Sequence, residues 1–170
     1  MTENVGGWDL VLEHYPDAAR PDVTLVRHVS LDERGAVIVD CLSEQGFPGG
    51  TAGPLGTYQI QDIPLEQDEA FMIATYVCDM KYPLDPKYEQ PLTDSQLIAL
   101  YAYLRDSLAP CLIALGFDIP PRPSEQTFVD TYRETGGWPI YEGVASAVSD
   151  EAEWNAVNQQ CPQVPPDLYG

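Results

Sequence analysis

Basic residues are scarce in this chain. Lysine and arginine together number 8 against 27 aspartates and glutamates, with 2 histidines, for a formal net charge of −19. The isoelectric point falls near 4.1. Such a balance excludes a nucleic-acid-binding face, whose phosphate partners require clustered cations. It equally excludes electrostatic docking on an anionic membrane surface. His14 and His28 are too few for a multi-histidine metal site, and no H-E-x-x-H occurs. A P-loop, a G-x-S-x-G elbow and a strand-preceded G-x-G-x-x-G are all missing. So is the D-x-[DN]-x-[DN]-G start of an EF-hand loop. No cofactor and no metal site is therefore expected. Apolar runs are short enough that no transmembrane segment is expected either. Met1-Thr2-Glu3-Asn4 has neither the basic nor the apolar region of a signal peptide, so the targeting segment of an exported protein is expected to lie outside these residues.

What is present is an ordinary globular composition. The 170 residues are 44% hydrophobic, with a mean hydropathy of −0.21, enough for a true core. Sixteen prolines and thirteen glycines punctuate loops rather than forming low-complexity tracts. Residues 1–21 read as an irregular arm with Trp8, Leu10 and Tyr15 as anchors, and residues 22–170 as one domain. The acids have local uses as well. Asp32, Glu33, Glu66, Asp68, Asp94, Glu125, Asp150 and Glu151 fall in expected first helical turns, where the helix dipole favours them.

The four cysteines, Cys41, Cys78, Cys111 and Cys161, show neither the close pairs of a zinc site nor a C-x-x-C redox pair. Two disulfides in an oxidising compartment are favoured over free core thiols. Three pairings are possible. Cys41–Cys78 and Cys111–Cys161 are preferred because each joins the ends of successive expected helices. A seven-residue phrase, C-L-x-x-x-G-F, begins at Cys41 and again at Cys111. Its physical reading is a helix stop, with glycine left-handed at C′ and the leucine and phenylalanine in contact across it.

In chain order, Asp22–Val29 is β-branched and reads as a strand. Ser30 and Glu33 form a capping box that opens a helix carrying Leu31, Gly35, Ile38 and Leu42 to its stop at Gly46. A second short strand is expected at Gly56–Gln61. Pro64 then starts a helix with a Leu65, Met72, Ile73, Tyr76, Met80 stripe. Tyr82–Pro91 is a stiff connector. Thr93 and Gln96 cap the strongest helix, whose stripe runs Leu97, Leu100, Tyr101, Leu104, Leu108, Cys111, Leu112 and Leu115, with a kink expected at Pro110. Ser124 caps a helix ending at Gly136-Gly137, and Ser149 or Asp150 caps the last one, bearing Trp154 and Val157. The fold class is thus mainly α with a minor two-stranded sheet and two disulfides.

Candidate chemistry is thin. A polar edge position suits His28 better than a general-base role, and all four cysteines are committed to bridges. Asp79, Asp85 and Asp94 flank the proline connector, where they could meet a hard cation; helix capping and a solvated surface account for them better. Tyr82, Tyr88, Trp138 and Tyr141 stand out because rigid proline-rich loops that carry aromatics can form a stacking groove for a sugar, a peptide or an organic cation. The competing reading is that each ring plugs its own loop onto the helices. These considerations point to a non-enzymatic binding or interaction module whose partner is a protein, peptide or glycan. The alternative is a carboxylate-dependent hydrolase of cell-envelope polysaccharide, which would need two carboxylates about 5–10 Å apart in one cleft.

The run Cys78–Tyr88 (CDMKYPLDPKY), then Pro91–Leu97 (PLTDSQL), then Pro110-Cys111-Leu112 with Gly116, resembles a group of actinobacterial exported proteins, often lipid-anchored and mostly without an assigned function. Pro123-Ser124, Phe128, Trp138 with Tyr141, Trp154 and Cys161-Pro162 follow in the same order, so the likeness spans residues 30–166. The resemblance implies an extracytoplasmic location, secreted or lipid-anchored at the cell envelope, with the cysteines as bridges. It transfers no catalytic or ligand-binding residue. The chain departs from the group in showing no anchoring cysteine near its start.

Overall fold

The computed structural model describes residues 5–170, with side chains from Gly7 onward. It is mainly helical, with a small two-stranded antiparallel sheet. Cys41 is bonded to Cys78 and Cys111 to Cys161. The chain divides into two compact units at Tyr88/Glu89, inside the proline connector, where the sequence reading places no boundary.

In the first unit, α2 (Leu31–Glu44) begins on the expected capping box. The Glu33 amide donates to Ser30 Oγ at 3.4 Å and the Ser30 amide to Glu33 Oε1 at 2.9 Å. Its buried face is Gly35, Ile38, Cys41 and Leu42. The C-L-x-x-x-G-F phrase ends it as a full Schellman motif. Gly46 is left-handed at φ 97°, the Phe47 amide donates to Leu42 O at 2.9 Å and the Gly46 amide to Ser43 O at 3.1 Å. Leu42 and Phe47 then share a core cluster with Ile38 and Ala74, with the Cys41–Cys78 bridge at its centre.

The sheet is not the pair expected. It joins β1 (Thr51–Ala52) to β2 (Tyr58–Gln59), with Ala52 opposite Tyr58. The hairpin presses on α2 where Gly35 has no side chain; a methyl there would overlap the Thr57 carbonyl. Asp22–Val29, by contrast, forms no strand. Only Val29 makes a bridge, parallel to Leu84, while the amides of Val26 and Arg27 both turn to the Lys81 carbonyl. The segment satisfies its backbone on a helix end rather than on another strand.

α3 (Asp68–Lys81) starts four residues later than Pro64 suggests, after a short 3₁₀ turn at Leu65–Gln67. Leu65 therefore leaves the stripe and is 91% exposed. α3 is apolar on two faces. Phe71, Ala74 and Cys78 pack with the residues of α2, and Met72, Ile73, Tyr76 and Met80 pack around Trp8 and Val11. These last two belong to α1 (Val5–His14), a helix where the sequence reading expects an irregular arm. Gly6-Gly7 conceals it. It is held by burial: the Trp8 and Tyr76 rings lie 5.0 Å apart. Residues 1–4 of the expected arm lie outside the described residues.

In the second unit, α4 (Asp94–Tyr103), a π-helical turn (Leu104–Leu108) and α5 (Ala109–Ala114) run on as one helix. The Thr93–Gln96 capping box opens it. Pro110 has no amide to give to Asp106, and the strain is taken up upstream, where the Ala109 amide reaches back five residues to Leu104 O. By length and composition this 21-residue helix is apolar enough to cross a membrane. Of its apolar stripe, Leu97, Leu100, Tyr101, Leu104, Leu108 and Leu112 are buried in the unit's own core and Cys111 is partly buried against it, while Leu115, beyond the last turn, is 38% exposed. The second copy of the phrase again makes a Schellman stop, with Phe117 N–H on Leu112 O at 3.1 Å and Gly116 at φ 89°. α6 (Glu125–Thr135), capped by Ser124, packs Phe128 on Tyr101 and stops at left-handed Gly136. A short α7 (Glu142–Ala147), unforeseen, follows the aromatic loop, and α8 (Glu151–Gln160), capped by Asp150, carries the chain to Cys161.

Candidate functional site

The first unit holds a half-enclosed apolar cavity of about 210 Å³ between α1 and α3. Leu10 and Val11 of α1 face Phe71, Met72, Tyr76 and Met80 of α3 across it. The space follows from the sequence of both helices. Gly7, also lining it, has no side chain to set against Tyr76, and the flexible, unbranched methionines Met72 and Met80 shape an adaptable wall. Buried Trp8, Val11 and Tyr76 share one cluster that holds the two helices together. Tyr15 adds a tie from beyond α1, its hydroxyl donating to Asp68 Oδ2 at 2.7 Å.

Thr75 and Asp79 bring polarity to this lining. The Thr75 hydroxyl donates to Phe71 O at 2.9 Å. Asp79 Oδ1 accepts from Arg34 Nη2 at 2.7 Å. Arg34 also donates to Gly56 O at 3.0 Å and lies over the Tyr58 ring at 5.9 Å, so the ion pair ties α2, the hairpin and α3 together. Burial raises the Asp79 pKa, against the opposing pull of the Arg34 guanidinium.

The second unit has a shallower depression between the π-turn helix and the 119–122 loop. Arg105 and Arg122 flank an apolar floor of Ala109, Pro110, Ile119 and Trp138. Arg105 is bound to its neighbour Asp106 by two hydrogen bonds, at 2.6 and 2.5 Å.

The four rings singled out in the sequence are divided between the units. Tyr82 and Tyr88 belong to the first, where both are half-buried. Tyr82 packs on the Cys41–Cys78 cluster, and the Lys87 ammonium lies 5.1 Å from the Tyr88 ring centre. In the second unit Trp138 is only 5% exposed, its indole donating to Pro120 O at 3.0 Å. Tyr141 is half-buried against Trp154, its ring centre 5.5 Å away, and its hydroxyl donates to Cys161 O. Burial pushes the Tyr141 pKa up to about 12. Trp138 and Tyr141 thus hold their loop onto the helices. The three acids considered for a cation are used separately. Asp79 pairs with Arg34, Asp85 Oδ1 accepts the Lys87 amide at 3.0 Å, and Asp94 lies 3.6 Å from Arg133. Among the described residues, no group of three or more His, Cys, Asp or Glu is placed to hold a metal ion.

Sequence reasoning assigned Met72, Tyr76 and Met80 to the core and missed the cavity that they line. The available signal was the width of the α3 stripe: Phe71, Met72 and Ile73 in succession cannot all face one neighbour. The fold and bridges define a disulfide-stapled helical protein of an oxidising compartment. Comparison with known families, curated proteins and solved structures finds no match.

Proposed function

We propose that the protein is a non-enzymatic binding module of the cell envelope, secreted or lipid-anchored, that takes a small apolar molecule into the α1–α3 cavity. The cavity carries the reading. It is concave, lined mainly by apolar and aromatic side chains, and has few polar groups, as small-molecule sites do. Two disulfides support the compartment. A polysaccharide hydrolase needs two carboxylates in one cleft. Among the described residues, Asp79 is the sole carboxylate lining either depression and is ion-paired with Arg34, which favours binding over hydrolysis.

The test is a titration of the intact, oxidised chain with naphthalene, followed by the methyl signals of methionine labelled with carbon-13. The chain has three methionines, and Met72 and Met80 line the cavity. Both signals should move saturably. Leu10→Glu, at a residue 53% exposed and therefore tolerant of charge, should weaken binding several-fold. Absence of saturable binding rejects the reading, and free thiols in protein recovered from its native cell reject the compartment.

A further inference from the structure

The polar atoms in the cavity wall are spent unevenly. The Thr75 hydroxyl hydrogen is committed to Phe71 O, which leaves that oxygen only as an acceptor. The Tyr76 hydroxyl accepts from Arg20 Nε at 2.8 Å and keeps its own hydrogen. Asp79 gives Oδ1 to Arg34, while its Oδ2 accepts no hydrogen bond among the described residues. Of these groups, Asp79 is the one that offers a ligand a carboxylate oxygen as acceptor.

Charge and size narrow the ligand further. Arg34 already balances Asp79 at 2.7 Å, so a cationic ligand would meet a guanidinium beside the carboxylate. An anionic one would meet Asp79 itself within a chain of net charge −19. A closed apolar cavity of about 150 Å³ takes up benzene. The 210 Å³ here extends that to a fused pair of rings. Two thioethers, Met72 and Met80, with the Phe71 and Tyr76 rings, favour an aromatic body.

Resting on the reading that this cavity binds small molecules, we infer that its ligand is an uncharged bicyclic aromatic carrying one N–H or O–H donor, which it gives to Asp79. The apolar body supplies affinity through burial, and the donor supplies orientation.

Indole and indene, which share a shape but differ in the donor, test this on the intact oxidised chain by the Met72 and Met80 methyl signals. Both should shift those signals, with indole bound about 10-fold tighter, as expected for one hydrogen bond to a charged acceptor. Asp79→Asn should shrink the indole-to-indene ratio to about 3-fold or less, whatever it does to the affinity of either alone. The wild-type comparison decides the matter alone if that variant does not fold. Equal affinities for indole and indene overturn the donor inference while leaving cavity binding intact. No saturable shift with either overturns the underlying reading. Tryptamine or indole-3-acetate binding as tightly as indole overturns the preference for an uncharged ligand, and pyrene binding as tightly overturns the size limit.

Discussion

Arg34 of α2 reaches Asp79 of α3 at 2.7 Å, and each side chain is less than one-third exposed. The pair lies on the elements already joined by Cys41–Cys78, so it fixes the rotation of two helices whose separation the bridge sets. Removing one partner leaves a partly buried charge unmatched, which costs more than the pair contributes. Asp79→Ala should lower unfolding free energy by about 2 kcal/mol in urea titration. Arg34→Met, added to it, should recover part of the loss. A loss with no recovery would mean that Arg34 acts through Gly56 and Tyr58 instead.

The two bridges close spans of 37 and 50 residues. Chain-entropy arguments assign each about 4 kcal/mol through the unfolded state. Because each bridge lies within one compact unit, its removal should act locally. Cys41→Ala/Cys78→Ala should raise amide exchange in α2 and α3 while α4–α8 keep their protection, and Cys111→Ala/Cys161→Ala should do the reverse. Uniform loss of protection in either variant would contradict this.

Gly46 and Gly116 isolate the cost of a left-handed helix stop. A methyl built at either position meets nothing within 4 Å, and φ is 97° and 89°. The penalty for alanine is then backbone strain alone, about 1–2 kcal/mol each. Thermal unfolding of Gly46→Ala and Gly116→Ala should show similar losses, whereas a near-zero effect at either would mean that the stop relaxes.

Those stops explain why so much of the fold was legible in sequence. Capping boxes and glycine stops are local: Ser30, Thr93, Gly46 and Gly116 each act within a few residues of themselves, and the cysteine pairing, though it spans 37 and 50 residues, follows from the helix ends so marked. The misses depend on distant partners. α1 exists because Trp8 finds Tyr76, although Gly6-Gly7 discourages a helix locally. Asp22–Val29 has strand composition but turns its amides to Lys81 rather than to a neighbouring strand. The cavity was least legible of all. Met72 and Met80 read as core in sequence, and only the placement of α1 leaves a space beside them.

Glu33 sets an acid limit on α2. Its carboxylate is held by Arg27 at 2.9 and 3.0 Å and by the Ser30 amide. The Arg27 hydrogen bonds, then the Ser30 backbone, lower its pKa from the ordinary 4.5 to about 2. A carboxyl depressed by folding stabilises the fold above its unfolded pKa, and that contribution disappears as pH falls through the folded value. Wild type and Glu33→Gln should therefore differ at pH 6 and converge between pH 4.5 and 2 in denaturant titrations. A constant difference down to pH 2 would assign Glu33 a role independent of its charge.

Tyr141 gives the opposite limit. Its hydroxyl donates to Cys161 O, and burial, reinforced by Tyr103, raises its pKa from 10.0 to about 12. The neutral phenol is the form the fold accommodates. Its contribution is whole below pH 10 and is lost as pH rises through about 12. Absorbance titration should show Tyr141 among the late-ionising phenols, so that Tyr141→Phe loses one of them. Above pH 10 wild type should lose stability faster than the variant, because only wild type must lose the buried proton and its bond to Cys161 O. The second unit's staple ends on that carbonyl's residue, so amide exchange near Cys161 should rise with the same midpoint. Parallel alkaline unfolding of both proteins would place the limiting ionisation at another tyrosine.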